Sequence, residues 1–284
     1  MARHYAKAIP ADASDVDLTI ANLILHAPLL PLACYIAWKH GRRGSLCWPV
    51  FVSSFVLLFI SNGWKISHRN DEKRYGTASN YTGGAIVSSF MLSLIGLLHE
   101  IGIIIPQIAS PRTKKTILVS SYVVMLIGIV TVFYGGRARK GAPDKVQPSI
   151  PDQFGHCLYL VVLFALIAWI IWTSRRLSAH KDHAQFRNAK IMLFTASIGV
   201  SFVGFRLLHA TIFAFTLFPS LDPGTGSIVT RLVLVFFLEF AGTITLCAGG
   251  WYSRGVGNTP QTPEPAEPPS ESKTTGVRED CQAV

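Results

Sequence analysis

The stretch that decides the fold is residues 190–250, KIMLFTASIGVSFVGFRLLHATIFAFTLFPSLDPGTGSIVTRLVLVFFLEFAGTITLCAGG. It contains two long apolar runs joined by a turn-forming segment, 219–226. The first run carries Arg206 and His209, and the second carries Glu239. A single charge in the middle of a bilayer costs about 3 kcal/mol or more, so opposite charges in neighbouring transmembrane helices usually face each other. The sequence therefore predicts that Arg206 and Glu239 pair inside a helical bundle.

The whole chain has the composition of a membrane protein. Its 284 residues are 50% hydrophobic and 15% charged, with a mean hydropathy of +0.38. The apolar residues form blocks of about 20, the length that crosses a bilayer, and an open sheet cannot cross lipid. We predict an all-α, seven-transmembrane-helix bundle over residues 18–251, after a short N-terminal segment, 1–17, and before a disordered Pro/Glu/Ser/Thr-rich tail, 252–284. The predicted spans are residues 18–38, 46–64, 83–105, 116–134, 154–173, 191–218 and 228–251, with a kink at Pro28 and Pro31.

The basic residues indicate an orientation and a partner. The net charge of +10 comes from Lys and Arg in short loops between the apolar blocks, which fits contact with anionic lipid headgroups and not with nucleic acid. A modest excess of these residues on one side places the N-terminus outside or in a lumen and the C-terminus in the cytoplasm. Asn80 begins a glycosylation sequon on the lumenal side. We expect an integral protein of the plasma membrane or an endomembrane, with its first span retained.

The helical rise places the buried charges at two depths. At about 1.5 Å per residue, His26, Arg206, His209 and Glu239 all lie roughly 12–18 Å from the outer ends, near the midplane. Glu100 lies roughly 25 Å deep, nearer the cytoplasmic face. The sequence therefore predicts one polar cluster that joins the first, sixth and seventh helices, with Glu100 below it.

Small residues share the helical face of each buried charge, which is typical of surfaces that pack against other helices. We therefore expect each charge to point at protein and not at lipid. The stripes are Ala85, Ser89, Ser93 and Gly96 for Glu100, then Thr195, Gly199 and Ala210 for Arg206, and Gly242, Thr243 and Gly250 for Glu239.

Two interpretations of the Arg206–Glu239 pair stay open. As a packing lock it would fix which helices are neighbours and bind nothing. As a site it would hold a ligand or a proton, which is the usual role of ionisable groups at this depth. His209, one turn from Arg206, is the better candidate for carrying a proton because imidazole titrates near neutrality. His26 and His99 are more typical of helix packing, although the depth of His26 also makes it a candidate ligand contact.

Several familiar kinds of site are excluded by their missing signatures. Five scattered cysteines provide neither a disulfide framework nor a zinc site. His180 and His183 lie in a basic loop without partner ligands, so we expect no metal. The seventh span has no lysine for a retinal Schiff base, and there is no receptor signature, nucleophile elbow, Walker loop or dinucleotide fingerprint. We expect no cofactor.

Five short motifs carry a family resemblance. They are 39–43 (KHGRR), 96–100 (GLLHE), 205–210 (FRLLHA), 238–240 (LEF) and 247–250 (CAGG). With them the chain resembles a fungal family of seven-helix integral membrane proteins of unknown function, and it is more distantly similar to the fungal lipid-translocating exporter family. Such families often occur beside secondary-metabolite pathways, which implies a lipophilic small molecule. The family pattern has Tyr where this chain has His at the fifth position of FRLLHA.

Two functions follow as expectations. The first is a protein that binds or translocates a small lipophilic molecule, with Arg206, His209, Glu239 and His26 as ligand contacts. The alternative is a membrane-embedded, terpene-cyclase-like enzyme of a secondary-metabolite pathway, with Glu100 and Glu239 as general acids. The paired charges favour the first function, because a general acid must be free to protonate its substrate.

Overall fold

The computed structural model describes residues 13–68, 77–108, 110–138, 149–223 and 226–255. All regular structure in these ranges is helical, and seven segments are long and apolar enough to cross a membrane, as predicted. The helices are α1 (Ala13–His26), α2 (Leu29–His40), α3 (Trp48–Ser67), α4 (Thr77–Ile104), α5 (Pro111–Ala138), α6 (Ile150–Leu177), α7 (Phe186–Thr216), α8 (Ile228–Thr230) and α9 (Leu238–Tyr252). Short 3₁₀ turns lie at Pro106–Ile108 and Pro219–Leu221, and a π-helical segment, Arg231–Phe237, joins α8 to α9.

The first span is broken in two, as its prolines predict. Helix α1 ends at His26, and α2 begins directly after Pro28. Pro31 lies in the first turn of α2, where a missing backbone N–H leaves no helical hydrogen bond unmade. Helix α1 already begins at Ala13, so it includes part of the predicted N-terminal segment.

The third span, α4, is the centre of the bundle. It packs against α3, α5, α6 and α7. In its most apolar stretch 83% of the residues are buried, against 11% in the fourth span, α5. The predicted stripe is buried at Ser89, Ser93 and Gly96, but so are Met91 and Leu94 on other faces. A helix that is apolar on all sides is normally surrounded by other helices. The prediction that one face of α4 packs therefore underestimates how much of this helix is buried.

Glycines bring the helices into close contact at the end of the bundle where α2 ends and α3 begins. A Cβ placed on Gly96 would lie 2.6 Å from the carbonyl oxygen of Leu46 and 2.7 Å from Cα of Cys47. A Cβ on Gly250 would collide with Trp48. The loop between α2 and α3 therefore lies directly on α4, and α9 closes over the start of α3.

Three predictions fall outside what these ranges describe. Residues 256–284 of the predicted tail are not among them, and neither is the side chain of Asn80, whose backbone belongs to α4. The direction in which the bundle crosses the membrane stays a prediction.

Candidate functional site

The two opposite charges that were predicted near the midplane face each other. Nε of Arg206 donates to Oε1 of Glu239 over 3.3 Å, and the side chains are only 8% and 7% exposed. Helices α7 and α9 pack directly against each other, and a Cβ on Gly249 would meet the side chain of Thr195. Both charges point into protein, as predicted, because this close approach brings their two faces together.

The π-helical segment Arg231–Phe237 ends two residues before Glu239. A π turn holds more residues than an α turn, so it rotates the faces that follow it relative to those before it. Such segments are frequent at functional sites. The direction in which the Glu239 side chain points therefore depends on this segment. Counting residues at the α-helical period from the start of the span cannot predict it.

The two midplane histidines lie beside the pair. Nη1 of Arg206 is 3.4 Å from Nδ1 of His209, an arrangement in which the guanidinium donates and the proton of the imidazole sits on Nε2. Nδ1 of His26 is 2.9 Å from the carbonyl oxygen of Asn22, and its ring meets that of Phe240 edge-on at 5.3 Å. Both rings are buried, and the Nε2 atom of each has no hydrogen-bond partner among the described residues. The polar contacts therefore join Arg206, Glu239 and His209 of the sixth and seventh spans, whereas His26 of the first span meets the seventh through the ring of Phe240.

A small cleft, with room of about 10 Å³, opens onto the charged pair. Its walls come from α4, α7 and α9, and apart from the pair they are apolar. Phe202 and Leu238 at its edge are partly exposed, so the cleft reaches the surface of the bundle about midway along the sixth and seventh spans. His26 and His209 lie outside it. The lining residues are Val87, Phe90, Phe202, Val203, Arg206, Leu238, Glu239 and Gly242.

Glu100 belongs to a different cluster, which the sequence did not predict. Its Oε1 is 2.6 Å from Nδ1 of His40, and its Oε2 accepts from Nε1 of Trp48 at 3.1 Å. Nε2 of His40 donates to the carbonyl oxygen of Gly250 at 3.1 Å. Glu100, His40 and Trp48 are completely buried or nearly so. We call Glu100, His40, Trp48 and the carbonyl group of Gly250 the inner cluster. It connects the first, second, third and seventh spans.

The inner cluster holds one shared proton. A carbonyl oxygen can only accept, so Nε2 of His40 carries a hydrogen. The short contact between Nδ1 of His40 and Oε1 of Glu100 then contains one more proton, either on the imidazole as an ion pair or on the carboxyl group as a neutral pair. In both arrangements every polar atom of the two side chains has a hydrogen-bond partner. This keeps the free-energy cost of burying the two side chains low.

A count of residues from the end of the bundle at which the first span ends and the second begins contains the signal for this cluster. His40 ends the first span and Trp48 begins the second. Both therefore lie at the end of the bundle to which Glu100 is closer. As a family motif and as positive charge, the KHGRR stretch indicates no partner for a buried carboxylate. It therefore left Glu100 without a partner.

The two carboxylates proposed as general acids do not share a site. Glu100 is connected through His40 to Gly250, and α9 rises about 16 Å between Glu239 and Gly250. Within the described ranges, no three His, Cys, Asp or Glu side chains lie close enough to hold a metal ion.

Comparison with known proteins identifies one family. Residues 14–255 match the family described as Domain of unknown function (DUF7702). No curated protein matches the chain, and no solved structure matches it. A family of unknown function agrees with the resemblance found in the sequence, while the exporter likeness stays a prediction.

Proposed function

We propose that this chain, which belongs to the DUF7702 family, binds or translocates a small lipophilic molecule in the cleft at Arg206 and Glu239. The observation that carries the proposal is that this buried charged pair opens onto a cleft. Burying charges is costly unless every polar atom is satisfied, so a purely structural pair gains from being sealed by its neighbours.

The inner cluster provides the internal comparison. Around Glu100 both carboxylate oxygens and both imidazole nitrogens of His40 have partners, and the side chains are shut away from the surface. That is how this bundle builds a packing lock. The Arg206–Glu239 pair has a single direct hydrogen bond and lines a cleft, which favours a binding site over a packing lock.

The position of the cleft suits a ligand that arrives from the bilayer. Its edge at Phe202 and Leu238 lies in the middle of the spans, where the surrounding solvent is hydrocarbon. A lipophilic molecule could enter sideways without crossing water. The proposal includes the predicted orientation, a plasma-membrane or endomembrane location, glycosylation at Asn80 and a link to secondary metabolism.

The cyclase alternative has less support in the geometry. A general acid must reach the atom that it protonates. Glu239 lines the cleft, but Glu100 is sealed in the inner cluster and both of its oxygens are occupied. An enzyme at this cleft would therefore work with one carboxylate, already engaged by Arg206.

Photolabelling in nanodiscs tests the proposal. The probe is a long-chain alcohol carrying a diazirine near its hydroxyl end. We expect saturable labelling of α7 near Phe202 and of α9 near Leu238, competed by the unlabelled alcohol. Gly242→Leu should abolish it, because a Cβ there would already lie 3.6 Å from Phe90 and longer side chains fill the cleft.

Gly63→Leu is the matched control, since a Cβ at Gly63 would have nothing within 4 Å. It should label like the unaltered chain. Labelling that is non-saturable, or that Gly242→Leu leaves unchanged, would show that the cleft is not a binding site.

A further inference from the structure

We infer that the molecule bound in this cleft is a lipophilic alcohol whose neutral hydroxyl group bridges Arg206 and Glu239. The inference rests on the proposed function and specifies the chemistry of its ligand. Three features of the site support it: the hydrogen bonds left open by the pair, the net charge of the site, and the size of the cleft.

The pair presents a donor and an acceptor side by side. Among the described residues, Arg206 uses Nε for Glu239 and Nη1 for His209, and the guanidinium carries five N–H groups. Glu239 uses only Oε1, while its second oxygen has no protein partner in the described part of the chain. A hydroxyl group can donate to that oxygen and accept from a guanidinium N–H at the same time.

The site is already electrically balanced. Arg206 and Glu239 neutralise each other, and the other six lining residues are apolar side chains or glycine. An ionised carboxylate headgroup would be repelled by Glu239, and an ammonium headgroup by Arg206. Either ion would also lose its hydration in a cleft that offers it no unpaired counter-charge. A neutral headgroup avoids both costs.

The cleft takes only one end of such a molecule. The room in it is about 10 Å³, the space of about one water-sized group, which a hydroxyl group suits and a whole ligand does not. A bound lipid would place its polar end against the pair, and its hydrocarbon body would extend past Phe202 and Leu238 into the membrane. This makes a hydroxyl-terminated lipid a better fit than a compact polar metabolite.

Four photoreactive probes of equal chain length, ending in a hydroxyl, a carboxylate, a trimethylammonium group or a methyl group, test the headgroup. A hydrogen bond to a charged group is worth about 1.5–3 kcal/mol, so the alcohol should label at concentrations on the order of 10- to 100-fold lower than the methyl-ended probe. In the double variant Arg206→Met with Glu239→Leu, the two probes should label equally, because the cleft remains and its polar groups do not.

The possible outcomes separate the two proposals. Preference for the carboxylate or ammonium probe, or equal labelling by the alcohol and methyl-ended probes in the unaltered chain, overturns the alcohol inference and leaves a lipophile-binding cleft. No saturable labelling by any of the four probes overturns the proposed function itself. Retention of the alcohol preference in the double variant would place its recognition elsewhere and also overturn the inference.

Discussion

Removing one charge of the midplane pair should destabilise the bundle far more than removing both. The charged atoms of Arg206 and Glu239 are 3.3 Å apart, and an effective dielectric constant of about 20 makes their attraction about 5 kcal/mol. Arg206→Met or Glu239→Leu alone leaves the other charge buried without its partner. Breaking a buried pair in this way typically costs about 3–5 kcal/mol, which we expect for each single variant.

The double variant, Arg206→Met with Glu239→Leu, should lie within about 1 kcal/mol of the unaltered chain, because apolar side chains of similar volume often replace a buried ion pair without loss. The measurement is the free energy of unfolding in bicelles for all four members of the cycle. Ser201→Ala, on an exposed part of α7, supplies the background for a neutral substitution.

Two results would refute this reasoning. Single variants that cost less than about 1 kcal/mol would mean that the charges are solvated and not buried against each other. A double variant that costs the sum of the two singles would mean that the residues act independently.

Three further predictions concern the end of the bundle that holds the inner cluster. Glu100→Ala should lower the free energy of unfolding by at least about 2 kcal/mol, because it leaves the buried polar groups of its partners without hydrogen bonds. Glu100→Gln should lower it less, because an amide can still form hydrogen bonds. Equal losses for the two variants would contradict the assigned network. Gly96→Ala should lower the free energy of unfolding by about 1–3 kcal/mol, since its Cβ would meet the backbone of the α2–α3 loop. Gly63→Ala is the control, because a Cβ there has open space. It should change stability only by the difference in helix propensity between Gly and Ala, about 1 kcal/mol in favour of Ala. Cys47 is completely buried, so a maleimide should label it only after unfolding. Rapid labelling of Cys47 in the folded chain would contradict its burial.

The sequence by itself determined the seven spans, because span length depends only on how many consecutive apolar residues the bilayer demands. It also determined the pairing of Arg206 with Glu239. These are opposite charges at one depth in consecutive helices, and hydrocarbon leaves them few alternatives to each other. The burial of Ser93 and Gly96 followed from their spacing along one helical face.

The tertiary structure decided which faces meet and which stay open. A stripe of small residues indicates that a helix packs, but it does not name the neighbour, so the central place of α4 was invisible in its periodicity. The partner of Glu100 is His40, sixty positions away along the chain, brought to it by the loop between α2 and α3. The sequence placed His26 and His209 at the same depth as Arg206. Only the packing of α4, α7 and α9 leaves those imidazoles outside the cleft and the charged pair inside it. Depth is a property of one helix, whereas a cleft exists only between several.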